Sequence, residues 1–226
     1  MYLKTFVVVT ASAMCLLVNP IYAAGCQDIS TIVSKAKEVR LVPTNILDKK
    51  YVSSLLQHAA EFDQKIRAVE YRQCEKTPSA MVQIDKVNTD VLVSLMGAHT
   101  WFTPNAFDAP TSNAAWMIAI HSKDINLQHK VLFLMERLIA NGEYAGELES
   151  MFKGHYALLY DCVSLNYVNM GIKQKYGSQY IISDKDQKLT PKPCEGTRAE
   201  VDRRRRDNHM RCLDAYEKEL KSVYFS

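Results

Sequence analysis

The chain has 226 residues, 47% of them hydrophobic and 23% charged, with a formal net charge of +3. That is enough apolar material for one sizeable hydrophobic core, which excludes a disordered or low-complexity protein. The mild positive balance gives no footprint for nucleic acid, and the dense basic run Arg203-Arg204-Arg205-Arg206 is surrounded by Glu200, Asp202, Asp207 and Asp214, as in a charge-laced helix face.

The first residues read as an export signal spanning 1–23. MYLK is a short basic start, TFVVVTASAMCLLV an apolar run too short to span a bilayer comfortably, and Pro20 with Ala23 and Ala24 supplies the break and the small side chains a signal peptidase needs. A competing reading takes Ala23-Ala24-Gly25-Cys26 as a lipoprotein box, with the signal extending to residue 25 and Cys26 acylated as the new N-terminus. The expected location is therefore the periplasm or the extracellular space, with membrane attachment only through Cys26. No other segment is long and apolar enough to cross a membrane. Once Cys15 leaves with the signal, Cys26, Cys74, Cys162, Cys194 and Cys212 remain, and Cys194 is expected to pair with Cys212 across the turn into the last helix. His209 and Cys212 stand three apart, but no second pair lies at ligand spacing, so neither metal nor cofactor is expected.

After the signal, residues 27–76 form an N-terminal helical segment, broken at Val42-Pro43, where proline disfavours helix in the residue before it. Val52, Leu55, Leu56, Ala59, Phe62, Ile66 and Val69 recur at three and four, one apolar stripe. Residues 77–226 read as a helical domain opened by Thr77 and Pro78, whose first helix runs to about Gly97. His99 to Asn113 is the longest irregular stretch, with Trp101, Phe102 and Phe107 expected to fold onto the core. Helices follow over Ala114–Ile120, Ile125–Ala140 and Glu147–Met170, the second stopped by Asn141-Gly142 and the third by Gly171. Gln179–Ile182 and Lys188–Thr190 make a small hairpin, and Thr197 with Glu200 caps a final helix that buries Val201, Leu213, Tyr216 and Leu220. The predicted fold is mainly α: a single-domain helical bundle with one small β-hairpin before the C-terminal helix.

Several polar residues fall where this pattern buries the chain. His121 ends the apolar run AAWMIAI, and Asp124 and Gln128 follow it: if the helix continues, all three share a face; if it breaks at Ser122-Lys123, Asp124 caps the next helix and Gln128 points inward from its second turn. Asp161 lies in ALLYDCV, where a carboxylate needs a cation or several donors, and Arg204 or Arg205 is the expected cation. The order Trp116, His121, Asp124, Gln128, then Ala157, Leu159, Asp161, then Gln174, Tyr176, Gly177, Ser178, Gln179, then Val201, Asp202, Arg204, Arg205 resembles a bacterial family known only as a domain of unknown function. The likeness covers about Asp85 to Leu220, with Cys162 standing where that family usually has arginine. The resemblance names no reaction. It implies that His121, Gln128, Asp161, Gln174, Tyr176, Gln179 and an arginine of the last helix belong to one recurring arrangement.

Two purposes fit that set. In one it is a buried polar network that docks the hairpin and the last helix. In the other it lines a site for a small polar or anionic ligand, with Gln128, Gln174, Tyr176, Gln179, Arg204 and Arg205 binding, Arg205 as anion clamp, and His121 and Asp161 as candidate catalytic groups of a hydrolase, His121 being the general base or acid. There is no nucleophile elbow, phosphate loop or dinucleotide fingerprint, which leaves Ser164, Ser178 and Cys162 as weak nucleophiles.

Overall fold

The computed structural model describes residues 29–38, 45–70, 77–144, 147–167, 170–183 and 186–225. The expected export signal, Cys26, Cys74 and the expected break at Val42-Pro43 lie outside the described residues. Eight helices and one two-stranded hairpin are formed among those described, a mainly α architecture as expected. They divide into two compact units, with the boundary between Leu134 and Met135.

The first unit contains α1 (Ile29–Glu38), α2 (Lys49–Glu70), α3 (Thr77–Met96), α4 (Ala109–His121) and the first part of α5 (Ile125–Ala140). The apolar stripe of α2 does what its spacing demands: Val52, Leu56, Ala59 and Ile66 are fully buried. α2 packs on α1, α3 and α4. Ile32, Val33 and Ala36 of α1 meet Ile66, Ala80 and Ile84 in one cluster. α4 is apolar all round and accordingly buried from Ala114 to Ile120. It begins five residues earlier than its apolar run suggests, because Asp108 caps it through a bond from the Thr111 amide (2.7 Å) and Pro110 fits the first turn, where no amide is needed. The loop before it carries Trp101 and Phe102 into the core, with Phe107 edge-on to His99 and tilted against Phe102.

The second unit contains the rest of α5, α6 (Glu147–Leu165), β1 (Tyr180–Ser183), β2 (Lys188–Pro191), α7 (Arg198–Asp207) and α8 (Leu213–Tyr224). α5 ends as read, with Gly142 at φ +67° and bonds from Gly142 and Glu143 back to Ile139 and Leu138 closing a Schellman turn. α6 ends at Leu165 rather than Met170; turn bonds from Asn166 and Tyr167 to Val163 and Ser164 replace the helical ladder. The strands pair antiparallel, Tyr180 opposite Pro191 and Ser183 opposite Lys188, and Tyr180 and Ile182 turn inward onto Tyr216 and Leu220.

The expected single final helix is two. α7 closes in a second Schellman turn, with His209 at φ +56° in the place glycine usually takes and bonds from His209 and Met210 to Arg206 and Arg205. α8 then starts at Leu213, whose amide is capped at 2.7 Å by Asp202 from α7. The Thr197–Glu200 capping box forms as predicted. The expected Cys194–Cys212 disulfide is not formed: both thiols are free, Cys194 half-buried and donating to the Lys192 carbonyl, Cys212 exposed at the N-cap of α8. The break between α7 and α8 sets Cys212 at the exposed start of α8, while the Cys194 thiol is turned to the Lys192 carbonyl.

Candidate functional site

Two polar clusters emerge, one within each unit. In the first, α2 presents Asp63 and Arg67 one turn apart, α3 presents Asp85, and His121 is the last residue of α4. Asp63 is almost wholly buried and accepts from His121 Nδ1 at 2.9 Å, from Arg67 Nη2 at 3.0 Å and from Gln64 Nε2 at 2.8 Å. A carboxylate only accepts, so the network assigns the proton of the imidazole to Nδ1. Arg67 Nε, 3.1 Å from that same nitrogen, then donates to Asp63 at 3.2 Å. Arg67 Nη2 also reaches Asp85 at 2.5 Å, so one guanidinium bridges two buried carboxylates.

Burial alone would push the Asp63 carboxyl up, but the charges and hydrogen bonds of His121 and Arg67 outweigh it and hold it well below the usual range. At Asp85 burial wins: its carboxyl is pushed up despite Arg67, with the Asp63 charge adding to the shift. The side chains of His121 and Arg67 keep 15% and 18% exposure while Asp63 keeps 1%, so these two side chains, and not that carboxylate, meet solvent. The sequence reading did not find Asp63, Arg67 or Asp85. A carboxylate four residues before an arginine, set beside Phe62 and Ile66 of the apolar stripe, was the available signal.

Gln128 and Asp124 have local work in the same unit. The helix does break at Ser122, Asp124 caps α5 by accepting from the Asn126 and Leu127 amides, and Gln128 Nε2 donates to the carbonyls of Ala119, Ile120 and Ser122 (3.4, 3.2 and 3.0 Å) that end α4.

The second cluster is built on the loop between α6 and β1. Asp161, fully buried on α6, accepts from the amides of Lys175 (2.7 Å), Tyr176 (3.0 Å) and Ser178 (2.9 Å). The expected cation is not its partner. Arg204 donates instead to the carbonyls of Lys175 (2.8 Å) and Glu195, and Arg205 to those of Tyr176 (2.8 Å) and Arg211 (2.5 Å). The loop thus lies between charges, its N–H groups on the carboxylate and its carbonyls on the guanidinium groups, and its peptide dipoles align with that field. Burial pushes the Asp161 carboxyl up, and the three amides pull part of that shift back.

Gln174 closes the loop by donating to the carbonyls of Gln179 (3.1 Å) and Lys192 (2.7 Å) and accepting the Gln179 amide (2.8 Å). Gln179 donates to the Ser178 hydroxyl (3.2 Å), and Tyr216 donates to the Ser178 carbonyl (3.0 Å). Gly177, at φ +66°, lets this happen: a Cβ there would stand 3.0 Å from Leu213 Cδ2 and 3.2 Å from Val201 Cγ1. Arg205 is 1% exposed and stacks on Tyr216 with 4.7 Å from guanidinium carbon to ring centre, so it holds main chain rather than clamping an anion from solution.

The structure therefore distributes the predicted site residues. His121 and Gln128 find their partners in the first unit. Asp161, Gln174, Tyr176, Gln179, Arg204 and Arg205 find theirs in the second. Among the described residues no group of three or more His, Cys, Asp or Glu side chains is placed to hold a metal ion. Searches of curated proteins and of solved structures return no match. A family described as a family of unknown function, DUF6624, matches residues 50–225, a span that includes both clusters, and the chain belongs to that family.

Proposed function

We propose that the protein is an exported helical domain that binds a small polar ligand at His121, while the Asp161-centred network of the second unit is structural. The single observation that carries the reading is the imidazole of His121: a buried carboxylate orients it through Nδ1, and the ring remains partly exposed at the end of α4. The bond to Asp63 fixes how the ring is turned and leaves Nε2 as the nitrogen available to a ligand. By contrast Gln174, Ser178, Gln179 and Arg205 are at most 1% exposed: Gln174 and Arg205 donate to main-chain carbonyls, and Gln179 donates to the Ser178 hydroxyl. Export is supported by the basic start, the apolar run and the small-residue junction of the first 24 residues.

The test is a thermal-shift screen of small hydroxylated, amino and carboxylic compounds, repeated on His121→Gln. A compound that raises the melting temperature of the parent by several degrees and has no effect on a folded His121→Gln supports the site. If nothing in such a screen shifts the parent and His121→Gln alone lowers its melting temperature, His121 belongs with the scaffold and the reading is wrong.

A further inference from the structure

The loop network uses only the main chain of Lys175 and Tyr176, which leaves their two side chains without a role in it. Both point to the same place. The Tyr176 ring meets the ring of Tyr160 on α6 edge to face, at 89° with centroids 5.9 Å apart, and Tyr156 stands one turn away, 6.2 Å from Tyr160. In the angle between the two perpendicular rings lies the ammonium group of Lys175, 5.5 Å from the centre of Tyr160 and 5.8 Å from that of Tyr176. Among the described residues Lys175 makes no ion pair, so this cation rests on aromatic faces and not on a carboxylate. Burial pushes the neighbouring phenols up, Tyr156 to about 12, and carboxylates in the surroundings add to it, Glu136 at Tyr156 and Glu195 at Tyr160.

We propose that Tyr160 and Tyr176, flanked by Tyr156, form a site for an organic ammonium ion, quaternary ammonium above all, and that Lys175 occupies it as a tethered stand-in. Faces of electron-rich rings set at right angles attract a desolvated cation from two sides, the arrangement that recognises choline-like and methylated ammonium groups. A lysine lying along one ring would be ordinary packing of an aliphatic stem. Here one ammonium is shared by two walls of unequal mobility. Tyr176 is fixed, because Asp161 holds its amide and Arg205 its carbonyl. Lys175 is only half-buried and its side chain is outside the network, so its stem can rotate out without disturbing the loop. A rigid aromatic corner with a displaceable occupant is preorganised for exchange.

The experiment titrates tetramethylammonium and choline into the full chain and its variants, following the amide resonances of Tyr176 and Ser178. Saturable binding is expected, about tenfold tighter in Lys175→Ala, where the competing ammonium is gone, and about tenfold weaker in Tyr160→Ala, which removes one wall. Tyr176→Phe keeps the ring and is expected to bind within about threefold of the parent. Should Tyr160→Ala unfold, Tyr160→Leu replaces it. Vesicles of phosphatidylcholine separate the two sources of the group: binding to choline alone indicates a soluble ligand, binding to both a lipid headgroup, and either supports the site. The proposal is overturned if neither the parent nor Lys175→Ala binds saturably. It is equally overturned if the uncharged carbon isostere of choline, with tert-butyl in place of trimethylammonium, binds as well as choline, or if folded Tyr160→Ala or Tyr160→Leu binds as tightly as the parent.

Discussion

Asp63 and Asp161 are both buried carboxylates, and the donors around them decide opposite outcomes. Asp63 faces the His121 ring and the Arg67 guanidinium, which hold its carboxyl down; Asp161 faces main-chain amides, and burial prevails. The linkage follows from those directions. A lowered native value means that the folded state binds the proton more weakly, so the stability Asp63 contributes is in place above the ordinary carboxyl value of about 3.9 and is lost as pH falls below it. A raised native value reverses the sign, so the Asp161 contribution is complete below about 3.9 and is lost as pH rises through the native value. Urea unfolding of Asp63→Asn should therefore show its deficit against the parent at neutral pH and a shrinking deficit as the pH is taken down to about 3; a deficit that grows in acid would contradict the assignment. Asp161→Asn turns an amide NH₂ toward the Tyr176 and Ser178 amides and leaves donors facing donors. Its loss against the parent, about 2–3 kcal/mol at most and read from the urea midpoint, should shrink as pH rises through the native Asp161 value.

Among the elements, the turns carry the conflict between local preference and packing. Gly142 and Gly177 both sit at positive φ, +67° and +66°, yet a Cβ at Gly142 meets nothing within 4 Å and one at Gly177 meets Leu213 and Val201. Gly142→Ala should therefore cost only the backbone term, about 1 kcal/mol, while Gly177→Ala adds overpacking and should cost about 2–4 kcal/mol. Differential scanning calorimetry of the pair separates the two effects, and equal losses would mean that the contacts around Gly177 are soft. Thr197→Ala removes one half of the capping box of α7 and should cost about 1 kcal/mol. Because α7 carries Arg204 and Arg205, its fraying should also appear as faster hydrogen exchange at Lys175 and Tyr176, whose carbonyls those arginines hold.

For the whole molecule, the sequence pattern of the first residues leads to one measurement. Intact mass of the protein recovered from its native host should lack residues 1–23, and an added acyl mass on a chain beginning at Cys26 would identify the lipoprotein form. Retention of Met1 would refute export. Reading the helices from spacing succeeded wherever one face of a helix meets one core, as in α2 and α5, because burial then repeats with the helical period. It failed at the break between α7 and α8, where the stop is a histidine in the left-handed region and no glycine or proline announces it. His121 and Asp161 were legible as polar groups in apolar runs. Their partners were not: His121 bonds across 58 residues to Asp63, and Asp161 across 15 to an amide that every residue but proline carries.

The sequence by itself determined the helical class, the hairpin and the caps at Thr197 and Gly142, because those depend on periodicity and on side-chain chemistry within a few residues. It also marked which polar groups had to be satisfied, since burying an unpaired donor or charge is costly wherever it occurs. Only the tertiary structure decided how. The approach of α2 to α4 gave His121 a carboxylate, and the folding of the 174–179 loop onto α6 gave Asp161 three amides before any arginine. Partner choice is a matter of distance between elements far apart in the chain, and no local pattern encodes it.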